Sequence, residues 1–370
     1  MNYEIKIGDS LEVLKTMDEQ SVHCCVTSPP YWALRDYGTA TWEGGDPECV
    51  HRRNNKIGKN CITGHQNHEE MRGVGDTIYK KVCQKCGAKR IDDQLGLEET
   101  PEEYVENLVN ILREVKRVLR DDGTLWLNLG DSYVGTGAKG KHKDPKSNSR
   151  NAQSDKAVNN KVQGLKPKDM VGIPWRVAFA LQADGWYLRS DIIWHKNNCM
   201  PSPVRDRPTS SHEFIFLLSK SPKYYYDKDA ILEPLLDPDR KEGTGRGSGF
   251  GGYKHTSQPD KTMNSTYSGR PYDPSKLKGK NKRDVWTVGT AHYKGSHVAV
   301  YPPKLIEPCI LAGCPDGGTV LDPFSGSGTT GVVALNNQKN YIGIELSPEY
   351  AKLSEDRIND SCANLFGVME

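Results

Sequence analysis

The chain has 370 residues, 35% hydrophobic and 26% charged, with a formal net charge of only +2. That length suits one large α/β domain with insertions or two domains, and the polar composition places part of the chain in exposed loops. The balanced charge excludes an overall basic character, so contact with nucleic acid has to come from local clusters; the lack of a long apolar run or signal-peptide pattern leads us to expect a soluble, cytoplasmic protein with no membrane partner.

In chain order, YEIKIGDSLEVLKTM reads as a strand, a Gly8-Asp9 turn and a short helix capped by Ser10. SVHCCVTS is a second, buried strand, followed by an irregular segment rich in Gly, Cys, His and Asn at 36–95. A helix then starts with Thr100 as N-cap, Pro101 at the first helical position and Glu103 completing a capping box. Its apolar residues Val105, Leu108, Val109, Leu112, Val115 and Leu119 recur at helical spacing, Asp122-Gly123 ends it, and TLWLNLGD is the next buried strand. Residues 136–168 have no apolar period and carry nine Lys/Arg against two Asp, the composition of a mobile basic loop. IPWRVAFALQADG is a helix ending at Gly185, followed by strands in YLRSDIIWHK and HEFIFLLSKS and a second polar stretch at 237–284. The C-terminal part alternates helix (PPKLIEPCILAGC), strand (GTVLDPF), glycine loop (SGSGTT), helix (GVVALNN), strand (NYIGIEL) and a helix capped by Ser347. Alternating strands and helices predict a mostly parallel sheet with helices on both faces.

VLDPFSGSGTTGVVAL places Gly326 and Gly328 between a strand and a helix, where a ligand can approach the backbone and the helix N-terminus. Glu345 ends the next strand 23 residues after Asp322, about where an acid binds ribose hydroxyls in nucleoside-cofactor folds. The loop has no lysine for a phosphate-binding GxxxxGK[ST], and Gly331 falls one residue late for a dinucleotide GxGxxG. An adenosyl cofactor without phosphates fits this loop better.

VTSPPYW, residues 26–32, ends a strand in a stiff turn, because two prolines lack N–H donors and restrict their neighbours. A hydroxyl and two aromatic rings on such a turn suggest a site. TSPPYW together with DPFSGSGTT resembles the DNA amino-methyltransferase family, which methylates an exocyclic amino group of cytosine or adenine using S-adenosylmethionine. The catalytic motif precedes the cofactor motif, as in the permuted β group, and GDSLEVL, LVNILREVKRVLRDDGTLWLNLGDSY, WHKNNCMPSP, HEFIFLLSKSPKYYYD, YPPKLIEPCI and IGIELSPEY extend the resemblance over most of the chain. It implies a Rossmann-like α/β fold with 1–35 and 96–236 as the first part of the catalytic core and 291–370 as its cofactor-binding part. Ser28 and the carbonyl of Pro29, stiffened by Pro30, would accept the two N–H bonds of the target amino group. Tyr31 would stack on a base flipped out of double-stranded DNA, and Trp32 would add a second wall. The cofactor residues implied are Asp9, Asp322, Phe324, Gly326, Gly328, Thr329, Thr330 and Glu345, although Asp9 reads equally well as a plain turn residue. The YPPKLIEP helix would pack near the methionine end. In this family a serine at the first catalytic position usually goes with cytosine N4 and an aspartate with adenine N6, which favours cytosine and keeps adenine as the rival. A non-catalytic zinc-containing DNA-binding regulator is the alternative of a different class.

Ten cysteines are many for a reducing compartment, where stabilising disulfides are not expected. Cys24, Cys25, Cys199, Cys309, Cys314 and Cys362 are scattered and read as mostly small core apolars. Cys49 and His51 in ECVH, with Cys83 and Cys86 in VCQKCG, form a structural Zn2+ signature in the 36–95 insertion; Cys61, His65 and His68 compete for places in it. Lys85, Lys89 and Arg90 beside the knuckle are solvated charges or phosphate contacts. The 237–290 segment, where this family carries its target-recognition region, is expected to read the DNA sequence. A monomer or homodimer is expected, and no nuclease module of a restriction system is evident.

Overall fold

The structure, a computed structural model, describes residues 1–33, 40–53, 77–78, 82–91, 94–135, 164–234, 279–290 and 301–366. Cys61, His65, His68 and most of the two basic stretches lie outside the described residues, so the expectations placed on them stay expectations.

Eight strands make one sheet: β1 (Tyr3–Ile7), β2 (Val22–Thr27), β7 (Leu119–Leu129), β8 (Tyr187–His195), β9 (His212–Ser219), β10 (Val285–Thr287), β11 (Thr319–Asp322) and β12 (Asn340–Glu345). Their order across it is β1-β12-β11-β2-β7-β9-β8-β10. Only β9 runs against its neighbours; every other pairing is parallel, as the alternation of strands and helices requires. β2 lies at the centre and is buried on both faces, hence its continuous apolar run. Helices α1 (Ser10–Lys15), α2 (Pro101–Val118) and α3 (Ile173–Ala183) pack on one another around one apolar cluster, and α4 (Pro303–Gly313), α5 (Thr329–Asn336) and α6 (Pro348–Phe366) around a second. None of these helices is long and apolar enough to cross a membrane.

α2 shows how the sequence builds an element. Thr100 Oγ1 accepts the Glu103 N–H at 3.2 Å, and the Glu103 carboxylate reaches back to the Glu99 N–H at 3.3 Å. The apolar stripe Tyr104, Leu108, Leu112, Val115 and Val118 is fully buried, each side chain contributing roughly 1.5–3 kcal/mol of transfer free energy. Two boundaries differ from expectation. α2 stops at Val118, because Leu119 is already extended and pairs with Val22; Asp122-Gly123 therefore lies inside β7. α1 is capped by Asp9, whose carboxylate accepts from Glu12 N at 3.1 Å, which frees the Ser10 hydroxyl to donate to Pro323 O at 2.6 Å.

Two short antiparallel ribbons occupy the 36–95 segment: β3 (Thr41–Glu43) with β6 (Lys89–Ile91), and β4 (Arg52–Arg53) with β5 (Thr77–Ile78).

Candidate active site

β2 and β11 are adjacent and parallel, yet β2 leads toward α2 on one face and β11 into α5 on the other. Loops that part at such a point leave a crevice beyond the strand ends, which is where open α/β sheets bind ligands. A cleft of about 570 Å³ lies there. Asp9 after β1, Ser28 and Pro30 after β2, Phe324, Gly326 and Thr329 around the glycine loop, and Glu345 at the end of β12 all line it. Residues of the 94–99 segment, with Glu103 and Asn107 of α2, line it as well.

The glycine loop is held from below. Gly326 and Gly328 have left-handed φ of 53° and 75°, and a Cβ on Gly328 would sit 2.2 Å from Ser354 Oγ. Glu345 joins the loop to the next strand: one carboxylate oxygen accepts Gly326 N at 2.8 Å and the other Ser347 N at 2.9 Å. Burial raises the Glu345 carboxyl above the ordinary range against the pull of those two N–H groups.

Asp322, Gly328 and Thr330, predicted among the cofactor residues, do not line the cleft. Asp322 is 1% exposed. Its oxygens accept from Thr27 Oγ1 at 2.6 Å, Thr330 Oγ1 at 2.6 Å, Phe324 N at 3.1 Å and Tyr301 Oη at 3.2 Å. It therefore acts on the loop from behind, and through Thr27 it ties β2 to the glycine-loop strand β11. Burial raises its carboxyl, with the four donors opposing.

Past Thr27 the proline turn is fixed at several points. Tyr104 Oη donates to Pro30 O at 2.9 Å, and Ala33 N to Gly96 O at 2.8 Å. No donor among the described residues bonds the Pro29 carbonyl. Trp32, expected as a second wall for the base, is 1% exposed and donates Nε1 to Glu98 O at 3.1 Å; the apolar core around α2 takes its ring, so it walls nothing in the cleft.

The Tyr31 ring is half-buried against Gly130, where a Cβ would come within 2.6 Å of Cε2. Its hydroxyl donates to Glu213 Oε2 at 2.8 Å and lies 3.1 Å from Asn128 Oδ1, while Ser28 Oγ donates to it at 3.4 Å. Glu213 is salt-bridged to Lys196. Burial, then the Glu213 charge, raises Tyr31 well above the usual phenol range, so it stays a donor. Sequence reasoning missed Asn128, Lys196 and Glu213. Asn128 stands 97 residues from Tyr31 and Glu213 stands 182 from it, and no spacing signals contacts of that range.

In the 36–95 segment, ligand atoms of Cys49, His51, Cys83 and Cys86 all lie within 4.8 Å of one another. The Cys83-x2-Cys86 knuckle is closed by Gly87 N to Cys83 O and Cys83 N to Ala88 O, both 2.8 Å. Trp42 stacks on the His51 ring with centroids 4.2 Å apart. N–H groups of Ala88 and Asp46 lower the Cys86 thiol to about 6.

A family model described as DNA methylase, of the N6/N4 type, matches residues 22–356. The Type II methyltransferase M.SmaI of Serratia marcescens is 41% identical over 355 residues, covering 96% of this chain and 90% of that protein. Among solved structures, the PvuII DNA methyltransferase (cytosine-N4-specific) superposes with a TM-score of 0.53 at 18% identity, covering 98% of this chain and 91% of that one. A DNA modification methylase from Thermus thermophilus, in complex with S-adenosyl-L-methionine, gives 0.50 at 19% identity over 98% and 96%. At those identities the two structures show the fold: a methyltransferase sheet, mostly parallel, with helices on both faces.

Proposed function

The chain belongs to the N6/N4 DNA methylase family, and we propose that it transfers a methyl group from S-adenosylmethionine to the exocyclic N4 of a cytosine flipped out of double-stranded DNA. The observation that carries this reading is that Ser28 and Pro30 at the end of one strand and the Gly326–Glu345 pair at the ends of the next two open on a single cleft.

The cleft suits an adenosyl cofactor. Its volume is within the usual range for small-molecule sites, and its walls offer carboxylates at Asp9, Glu98, Glu99, Glu103 and Glu345 but no lysine or arginine among the described residues. That set of acceptors suits hydroxyls and positive charge rather than phosphates. Glu345 lines the cleft, and each of its oxygens, with one backbone N–H accepted, has capacity left for a ribose hydroxyl. Phe324 offers a ring face. S-adenosylmethionine, when bound, supplies an electrophilic methyl group on a sulfonium.

The chain's own contribution is positioning. An exocyclic amino nitrogen is a weak nucleophile because its lone pair is delocalised into the ring. Ser28 Oγ and the Pro29 carbonyl accept its two N–H bonds, favour a pyramidal nitrogen and turn its lone pair toward the methyl group; fixed dipoles in a dry site do this without reorganisation. The Tyr31 ring supplies a face for the extruded base. The serine at position 28 and the cytosine-N4 specificity in the printed name of the PvuII enzyme support cytosine over adenine. The order of the motifs supports the permuted β group.

We assign the Cys49-His51-Cys83-Cys86 cluster to a structural zinc ion. With Zn–S of about 2.3 Å and Zn–N of about 2.0–2.1 Å, tetrahedral geometry separates two sulfurs by about 3.8 Å and sulfur from nitrogen by about 3.5 Å. The Cys49–Cys83 and Cys86–His51 separations are 3.8 Å and 3.5 Å. Such an ion would hold together a segment with little apolar core of its own.

Ser28→Ala tests the catalytic reading. It should lower the rate of methyl transfer from labelled S-adenosylmethionine to duplex DNA while leaving cofactor affinity, read by calorimetry, unchanged. A near-normal rate would refute the role of Ser28.

A further inference from the structure

We propose that Glu213, held by Lys196, sets the direction of a hydrogen-bond chain through Tyr31 so that the Ser28 oxygen faces the cleft as an acceptor. The inference rests on the reading of Ser28 given above and adds a positioning residue to it.

A hydroxyl can donate or accept, and nothing in Ser28 itself decides which. To accept an N–H from the target amino group, its own proton has to point elsewhere. The surroundings of Tyr31 provide that outlet. Glu213 Oε2 at 2.8 Å is a carboxylate oxygen and can only accept. Asn128 Oδ1 at 3.1 Å is also an acceptor, because the Asn128 amide is oriented by its Nδ2, which donates to Phe214 O at 3.0 Å and Glu213 Oε2 at 3.3 Å. Two acceptors thus compete for the single Tyr31 proton, and the charged, nearer one takes it. The Tyr31 oxygen lone pairs are left for the Ser28 proton, at 3.4 Å. That contact is long, of the kind that tightens when a reacting group is seated.

Lys196 anchors the far end of the chain. It is salt-bridged to Glu213 with side chains only 20% and 16% exposed, and its ammonium lies 4.5 Å from the Trp194 ring centroid. The β8–β9 hairpin fixes the pair, since Trp194 is in register with Glu213 and Lys196 N donates to Ser211 O at 2.7 Å. The chain ends on Glu213: Ser28 gives to Tyr31, and Tyr31, Asn128 Nδ2 and Lys196 give to Glu213. A glutamine at 213 keeps the size but offers an N–H to Tyr31. That N–H fills one of the two Tyr31 oxygen lone pairs, the Tyr31 proton is left with only the neutral Asn128 Oδ1, and the Ser28 proton, its charged sink lost, is freer to turn into the cleft against the incoming amino group.

The experiment compares Ser28→Ala, Glu213→Gln, Tyr31→Phe and the Tyr31→Phe/Glu213→Gln double variant by kcat at saturating DNA and S-adenosylmethionine, with cofactor Kd by calorimetry. Glu213→Gln and Tyr31→Phe should each lower kcat by about 10- to 100-fold, the range for one charge-assisted hydrogen bond to a reacting group, with Kd unchanged. The double variant should be no slower than the slower single one, because both break one chain. A slow Ser28→Ala with a normal Glu213→Gln, or losses that multiply in the double variant, would overturn the inference and leave the role of Ser28 standing. A fast Ser28→Ala would instead sink the reading beneath it. Tyr31→Phe keeps the ring and the Lys196–Glu213 pair, so a normal kcat there overturns the inference even if Glu213→Gln does not fold.

Discussion

Gly130→Ala is a sharp perturbation of the proposed site, because it adds one methyl group directly behind the ring proposed to carry the base. The new Cβ would lie 2.6 Å from Tyr31 Cε2, 3.1 Å from Cδ2 and 3.4 Å from Cζ. Ordinary van der Waals contact begins near 3.4 Å, so the ring edge has to retreat by about 0.8 Å. It cannot retreat freely, since its hydroxyl is tied to Glu213 at 2.8 Å. The folded state should lose roughly 1–3 kcal/mol, the usual cost of overpacking a filled site. The rate should fall further than the stability suggests: a displacement of about 1 Å in a positioning group costs on the order of 100-fold. Gly130 does not line the cleft, so cofactor affinity should be unchanged. Thermal unfolding, cofactor calorimetry and single-turnover methyl transfer on duplex DNA separate the three quantities. A variant with normal turnover would refute the claim that the Tyr31 ring position matters to the reaction, and a variant that loses cofactor affinity would refute the separation of Gly130 and Tyr31 from the residues that line the cleft.

Other outcomes follow from the same geometry. Protonating Glu345 removes acceptor capacity, and its carboxyl is raised by burial, so cofactor binding should weaken as pH falls through a value above the ordinary glutamate range. The same raised carboxyl should make Glu345 cost stability as pH climbs from its unfolded value through its folded one; Glu345→Gln should flatten both slopes in calorimetric and thermal-unfolding titrations, and unchanged slopes would contradict the assignment. Asp322→Asn sets an amide N–H against hydroxyl and backbone donors and should cost about 1–3 kcal/mol in chemical denaturation, since a buried acceptor is lost among four donors; a neutral change would refute its role behind the loop. Cys83→Ser should release one equivalent of zinc by elemental analysis and raise protease sensitivity in the 36–95 segment, and an unchanged metal content would remove Cys83 from the ligand set.

Much of this architecture was legible in the chain because local chemistry and fold agree. The cap at Thr100, the strand–glycine–helix run after Asp322 and the CxxCG knuckle are short-range signals, and each falls where its pattern places it. The differences come from tertiary competition. Ser10 is a good N-cap by type, but Pro323 O, more than 300 residues away, takes its hydroxyl and Asp9 caps the helix instead. Trp32 follows the proline turn in sequence, yet α2 buries it. Asp322 carries the acid of the glycine motif but spends its bonds inside the protein. Asn128, Lys196 and Glu213 come from three strand ends that meet only when β7, β8 and β9 pair, so nothing in the linear sequence announces them.

The proposal that the target amino group belongs to cytosine is the central claim, and one product measurement tests it most directly. Duplex DNA is incubated with the protein and S-adenosylmethionine, digested to nucleosides and resolved by mass spectrometry. N4-methyldeoxycytidine is the expected product; N6-methyldeoxyadenosine without it would contradict the assignment.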